Sequence, residues 1–396
     1  MSQQKFIAQL RQGSDVNQGK HGDLMKLSRN FVVATCLVAL ATTGCSKSHD
    51  AVVSSQSPSS KTSPVTSPSP SPTPMWPLTG VASKRASATK PVLVVKVEND
   101  PTVRPQSGLE AADMVFEELV EGGITRFATV FQSHFPDELG PVRSVRHVDA
   151  SIASPMADFF VFSGGARPTI SYIRGNVGKG IYIMTEGAPG MHRTNYHYAP
   201  HNLFLTPMTL ISSSHKTTTP TSGFFVRPSA HSLASTTNSS TQSAVPSSTT
   251  SARGLPHVIS GVRLRFSPSE QPRWDWSTKR RAWVRSEGAS PAFAKSGARL
   301  SATNVVIIRT QTADAGYRDP AGHYVPRTIL TGSGTGFVLS GHKRQSITWF
   351  KPDVHSQMTL KNLQGKLVAL PAGNVWVELV PLAGGDVNFV SLKSAK

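Results

Sequence analysis

The segment from Glu98 to Asp149 carries ten carboxylates and four arginines but no lysine, and it is threaded through apolar runs. A charge inside such a run is costly to bury without a partner. The acids and arginines must therefore stand where strands end, or pair with one another, and this limits the folds open to the chain. Val92–Val97 reads as a buried strand stopped by the turn Glu98-Asn99-Asp100-Pro101. Met114–Val120 reads as a second strand and Phe127–Gln132 as a third, with Glu121-Gly122-Gly123 as the turn between them. Ser107 is placed to cap a short helix over Leu109–Ala112, Asp149–Ala157 suits a helix, and Phe159–Phe162 a strand running into Gly164-Gly165. Strands alternating with short helices predict an α/β (α+β) N-terminal domain with a mixed sheet over residues 76–211.

Residues 212–254 are mostly Ser and Thr and read as a disordered linker, apart from an apolar island at Phe224–Val226. Residues 255–396 have a different texture. Val262–Phe266, Asn304–Ile308, Gly336–Leu339, Ile347–Phe350, Lys366–Leu370 and Val375–Val380 are short β segments separated by Gly, Pro and Asn. Trp274 and Trp276 share one strand face, with Trp283 on the returning strand. A smaller, mostly-β C-terminal domain is expected.

The formal charge of +18 raises nucleic acid or an acidic surface as a partner. Its distribution is uneven: residues 253–351 hold 16 Lys/Arg against 5 Asp/Glu, while the Glu98–Asp149 segment is net negative. The N-terminus gives an address. Lys26 and Arg29 precede an apolar run from Phe31 to Ala41, and small residues lead to Cys45. This is the three-part pattern of an export signal over residues 1–45, with Met25 as the expected start. The run is shorter than the roughly 20 residues needed to span a bilayer. Cys36 and Cys45 are the only two cysteines, so Cys45 resembles the lipid-bearing residue of a bacterial lipoprotein, although Thr42 stands where such signals usually have Leu. Residues 46–75, rich in Ser and Pro, read as a disordered tether of ~30 Å as a coil or ~90 Å as polyproline. The expected location is the bacterial cell envelope, lipid-anchored on the outer side of the cytoplasmic membrane.

Arg104, Arg126, Arg143 and Arg146 are suited to fixed contacts with carboxylate or phosphate, which a lysine makes less well. A network of Glu117, Glu121 and Asp113 with Arg126 and Arg143 is expected, either as structural ion pairs at the sheet edge or as a ligand site. Gly122-Gly123, Gly140–Ser144 and Ser163–Gly165 each allow close backbone approach, but none forms a nucleotide-binding fingerprint. His192, His197 and His201 lack metal-ligand spacing, so no metal and no cofactor are expected. Neither Ser144 nor Ser163 sits in a nucleophile elbow. Acid–base work on a glycan would need a raised carboxyl, and the nearby arginines pull the other way. Arg263, Arg265, Arg273, Arg280, Arg281 and Arg285 interleave with Trp274, Trp276 and Trp283 as in single-strand stacking platforms. Export makes nucleic acid a poor partner and favours anionic envelope polymers or lipid headgroups.

The motifs RPQSG at Arg104–Gly108, ADMVFEELVEGGITRF at Ala112–Phe127, GPVRSVR at Gly140–Arg146 and APHNLF at Ala199–Phe204 resemble the YerB-like family of bacterial lipoproteins. Thr331–Lys351 and Leu367–Pro381 are similar to that family's C-terminal domain. The resemblance implies the two-domain fold and the lipoprotein address, and no established activity. Its motifs fall on Arg104, Gln106, Glu117, Glu121, Gly122, Gly123, Arg126, Arg143, Arg146, His201 and Asn202, which are the candidate ligand-binding residues. Two features depart from the family: the long Ser/Thr insertion near residues 228–252, and Phe162 where a histidine is expected before the diglycine. The reading is a membrane-anchored lipoprotein that binds a polar envelope ligand, such as a cell-wall fragment or a partner protein, in an Arg/Glu-lined cleft. The alternative is a hydrolase of cell-wall glycan or peptide, and whether the chain is an enzyme stays open.

Overall fold

Leu93–Glu98 (β1), Met114–Leu119 (β2) and Thr125–Phe131 (β3) form an antiparallel trio in the order β2-β3-β1. They are buried on both faces, which is why β1 and β3 read as near-continuous β-branched and aromatic runs. The computed structural model describes residues 74–83, 90–214, 223–226 and 256–391. The export signal, Cys45, nearly all of the tether and most of the Ser/Thr-rich linker lie outside them.

The first half continues with Val148–Ala153 (α1), Phe159–Val161 (β4), Arg167–Asn176 (α2), Tyr182–Met184 (β5), Met191–Arg193 (β6), Leu203–Leu205 (β7) and Pro207–Ser213 (α3). The second half holds His257–Val258 (β8), Gly261–Arg265 (β9), Pro272–Ser277 (β10), Ala282–Glu287 (β11), Ser290–Pro291 (β12) and Ser301–Ala302 (β13). There follow Asn304–Arg318 (β14), Tyr324–Ile329 (β15), Gly332–Ser340 (β16), Lys343–Lys351 (β17), Thr359–Asn362 (β18), Val375–Pro381 (β19) and Asp386–Val390 (β20). The molecule is mostly sheet with few helices.

One 12-stranded mixed sheet runs β18-β17-β16-β14-β19-β2-β3-β1-β4-β5, with β15 joined to β14 and β8 to β17. The two halves meet inside it, where β19 lies parallel to both β14 and β2. A second sheet, β12-β11-β10-β9-β20 with β13 joined to β11, covers one face through Val262, Leu264, Trp274 and Trp283. Helices α1 and α2 cover the other through Val148, Ile152 and Ile173. The outcome is three layers, and each fully buried Val, Leu or Phe between them adds about 1.5–3 kcal/mol.

Several local expectations are corrected. Ser107 caps no helix: its hydroxyl donates to Glu138 Oε1 at 2.9 Å, and Leu109–Ala111 is a single 3-10 turn entered through Gly108 at φ +82°. The helix expected over Asp149–Ala157 stops at Ala153. Lys366–Leu370 forms no strand, only a bridge from Leu367 to Lys361. The island Phe224–Val226 packs into the helix-side core, and the Val226 amide donates to the Met358 carbonyl. Trp274 and Trp283 are fully buried, so they are core residues and offer no stacking platform.

Candidate functional site

Two polar clusters grow from the same end of the large sheet, because side chains alternate along β2. Glu117 points to the face covered by the small sheet and Glu118 to the face covered by the helices.

On the small-sheet face the centre is Arg285 of β11, with no solvent exposure. Its Nη1 and Nη2 donate to Glu117 at 2.7 and 3.0 Å, Nε donates to Glu287 at 2.7 Å, and Nη1 also reaches Glu378 at 3.2 Å. The Trp376, Phe127 and Trp274 rings surround the guanidinium at 5.0 to 5.7 Å. Arg104 extends the cluster outward. Its Nη2 donates to both Glu270 oxygens at 2.9 and 3.0 Å, and its Nε donates to Asn99 at 3.0 Å. Burial and the neighbouring Glu117 hold the Glu378 carboxyl well above the usual range, so it is an acid. Its Oε2 otherwise has no hydrogen-bond partner, which a proton shared with Glu117 explains. Burial, again with Glu117, pushes Glu270 up to about 8. Burial opposes ionisation of Glu287 too, but Arg285 and Arg104 outweigh it and hold this carboxyl low. With Glu270 and Glu378 as acids, two guanidiniums face Glu117 and Glu287 and the interior is balanced.

On the helix-side face Lys96 of β1 is fully buried, bonded to Glu118 and at 2.8 Å to Asp149 of α1. Burial raises Glu118 to about 7 against the pull of Lys96. Beyond the strand end, Glu121 binds Arg126 at 3.0 Å and Arg146 through both of its oxygens. These two arginines outweigh burial and hold Glu121 low. Burial and the like charge of Arg146 lower Arg126 to about 10. At the outer margin Glu98 joins Arg143 Nε and His201 Nδ1, each at 2.9 Å. Arg143 and His201 keep 18% and 34% of their side-chain exposure, whereas Arg126 keeps 5%, so this corner opens toward solvent.

The candidate residues are therefore divided. Glu121, Arg126, Arg143, Arg146 and His201 gather at the helix-side corner. The expected pairing of Glu117 with Arg126 and Arg143 is corrected: Glu117 is sealed on the opposite face, with Arg285 as its partner. Asp113 is also elsewhere, accepting the Gln132 and Ser133 amides at 2.6 and 2.7 Å. Arg104 and Gln106 line a separate cavity of about 380 Å³ with Glu287, Pro291 and Phe293. Gly123 is covered by Ser267 and Ser269, which both donate to its carbonyl, while a side chain at Gly122 would meet nothing. Asn202 accepts from Arg193 at 2.6 Å and donates to the Thr194 carbonyl, which fixes the β6–β7 loop. Among the described residues no three His, Cys, Asp or Glu side chains are grouped to hold a metal ion.

Sequence reasoning missed Lys96, Glu270, Arg285, Glu287 and Glu378 as members of these clusters. A signal existed for two of them: Lys96 and Glu378 each interrupt an otherwise apolar strand, LVVKVE and VWVELVP. A lone charge there announces a buried partner.

Comparison with known proteins agrees with this architecture. Residues 78–220 match the N-terminal domain described as "Protein of unknown function (DUF3048)", and residues 262–377 match the corresponding C-terminal domain. The candidate lipoprotein YerB of Bacillus subtilis (strain 168) is 43% identical over 88 residues, a stretch that is 22% of this chain and 27% of that protein. The crystal structure of YerB from Bacillus subtilis superposes with a TM-score of 0.63 at 21% identity, covering 79% of this chain and 99% of that one. The fold is shared. Among the described residues no helix is long and apolar enough to cross a membrane.

Proposed function

This chain belongs to the DUF3048 family, and from that premise we propose that it is a lipid-anchored binding protein of the bacterial envelope. It takes an anionic group of a cell-wall fragment at the arginine corner of the helix-side face. The observation that carries this reading is a charge imbalance beside solvent. Arg126, Arg143 and Arg146 stand against Glu98 and Glu121, one formal positive charge in excess. Two buried donors also lack a hydrogen-bond acceptor, Arg126 Nε and Arg143 Nε; the latter lies 2.9 Å from Glu98 Oε1 as an ion pair without hydrogen-bond geometry, and Arg143 Nη1 reaches the Pro200 carbonyl at 3.4 Å. A carboxylate or phosphate oxygen fits both needs, since a guanidinium bond to an anion is among the stronger hydrogen bonds. Gly164, whose carbonyl accepts the Val145 amide, leaves open space where a side chain would stand, so a ligand can approach the backbone there.

Binding is favoured over hydrolysis. Glu117 is sealed from solvent and Glu121 is held low by two arginines, so neither is poised as a general acid. Isothermal titration with soluble peptidoglycan fragments bearing free carboxylates tests the reading. Arg143→Ala is expected to weaken binding about 10- to 100-fold with little change in melting temperature. Unchanged affinity would remove the corner from consideration. The anchor has its own test: Cys45→Ala is expected to move the protein from the membrane to the soluble fraction.

A further inference from the structure

The small sheet has an inner face in the core and an outer face that no layer of the described residues covers. Val262, Leu264, Pro272 and Trp274 point inward, which by strand alternation turns Arg263, Arg265 and Arg273 outward. Arg263 and Arg273 are register partners on β9 and β10, so two guanidiniums stand directly opposite each other. Like charges in that relation disfavour strand pairing. Asp275 relieves only one of them: it accepts from Arg273 Nε and Nη2 at 2.8 and 2.7 Å, both through Oδ1. Arg263 has no charged or hydrogen-bonded side-chain partner among the described residues. The row continues across the sheet to Ser286, which accepts from Arg299 at 3.2 Å. A depression of about 290 Å³ lies against the pair, lined by Arg263, Arg273, Gln271 and the Gly288-Ala289 turn.

The neighbourhood adds charge of the same sign. Lys279, Arg280 and Arg281 form the β10–β11 turn, and Arg281 adopts the left-handed backbone, φ +51°, where Gly or Asn is usual. Arg265 is 48% exposed and its nearest carboxylate, Asp386, is 3.9 Å away. Burial and Arg280 together lower the Arg299 pKa, a sign of crowded cations. Folding alone gives no reason to set these groups side by side.

We propose that this outer face is a phosphodiester-binding surface, in which Arg263 and Arg273 clasp one phosphate between them. Two guanidiniums on paired strands present N–H groups that match the oxygens of a tetrahedral oxyanion. Nucleic acid is the weaker match, because Trp274 and Trp283 are buried and, among the described residues, no aromatic ring lies over Arg263 or Arg273. The chemistry is that of anionic lipid headgroups and of glycerol-phosphate polymers. The site is independent of the arginine corner on the large sheet.

The test uses the full chain carrying Cys45→Ser, so that no lipid anchor contributes. It is incubated with phosphatidylglycerol–phosphatidylcholine vesicles, with phosphatidylcholine vesicles, and separately with soluble polyglycerol phosphate. Binding to the anionic vesicles or to the polymer is expected, and which of them binds identifies the source. Replacing Arg263 and Arg273 together by Gln is expected to weaken that binding about thirtyfold. The control pair Lys361→Gln and Lys366→Gln, exposed and on or just after the edge strand β18, removes the same charge and is expected to cost less than threefold. Arg263→Lys keeps the charge without the fork and is expected to fall between. Failure to bind either probe, or equal losses in the Arg and Lys pairs, would overturn the proposal. Relief of the like-charge pair predicts an unchanged or higher melting temperature for the Gln variants, which separates lost binding from lost folding.

Discussion

Arg285 and Arg126 are buried guanidiniums at the same end of one sheet, on opposite faces, and their surroundings differ in kind. Arg285 is enclosed by aromatic rings and has carboxylates on three sides, two of them on β2 and β19, strands of different halves. Arg126 shares a single carboxylate, Glu121, with Arg146, and the ring of charge around it runs out to the partly exposed Arg143 and His201. The first arrangement reaches neutrality by keeping two of its acids protonated. The second does not reach it, and it faces water. A closed and balanced cluster is what a joint between halves requires. An open cluster with spare donors is what a ligand requires.

The widest separation between them is in stability. Arg285→Met is expected to cost about 3–5 kcal/mol, or to prevent folding, because Glu117 would be left buried without a cation and Glu287 with only Arg104, 3.7 Å away. Chemical denaturation measures it. A loss below about 1 kcal/mol would mean that the joint does not depend on this residue. Arg285→Met combined with Glu117→Gln should recover part of the loss, since the neutral amide no longer needs the guanidinium.

The pH dependence separates the faces next. Glu270 rises to about 8 on one face and Glu118 to about 7 on the other, both from 4.5. The folded state therefore binds more protons than the unfolded chain above pH 4.5, and these groups make stability fall as pH rises. The decline ends near pH 7 for Glu118 and near pH 8 for Glu270. Glu118→Gln should flatten the lower part of the curve and Glu270→Gln the part reaching to pH 8. A melting temperature that climbs steadily from pH 5 to 8 would contradict both assignments.

How much of this was legible in the sequence depends on range. The strands β1, β2 and β3 stand close to where apolar runs and turn residues put them, because burial on both faces writes a continuous local signal. The split of β2 into two faces is also local, since Glu117 and Glu118 are neighbours on a strand. What could not be read is which partner each acid finds. Arg285 lies 168 residues from Glu117, and the parallel insertion of β19 beside β2 has no mark in either strand. Charge composition pointed to a segment that contributes to both charge clusters, but it suggested one network where two exist. The tryptophans show the same limit: alternation placed Trp274 and Trp276 on one face, and only the tertiary fold decides that this face is core.

A smaller effect is expected at Arg126. Arg126→Met should cost about 1–2 kcal/mol, less than Arg285→Met, because Glu121 keeps Arg146 as a partner. Equal losses at the two sites would erase the distinction between joint and corner. Ligand binding offers a finer test. Protonation of Glu118 below pH 7 removes a negative charge beside Arg146, so affinity for an anionic cell-wall fragment should rise between pH 8 and pH 6. In Glu118→Gln that rise should be absent.

The smallest stability effect is expected at Arg143, and it carries the most weight for the proposed function. Its side chain is partly exposed, and its carboxylate partner Glu98 keeps His201 at 2.9 Å when the guanidinium is removed. Arg143→Ala should therefore cost about 1 kcal/mol or less. A residue that matters only to the fold would lose stability and binding together. Here binding is expected to fall by an order of magnitude or more while stability hardly moves. Arg285→Lys should give the reverse, a large loss of stability with affinity retained in whatever fraction folds, because ammonium cannot span Glu117 and Glu287 at once. If the two variants respond alike in both measurements, the faces of the sheet do not divide the work between joint and site.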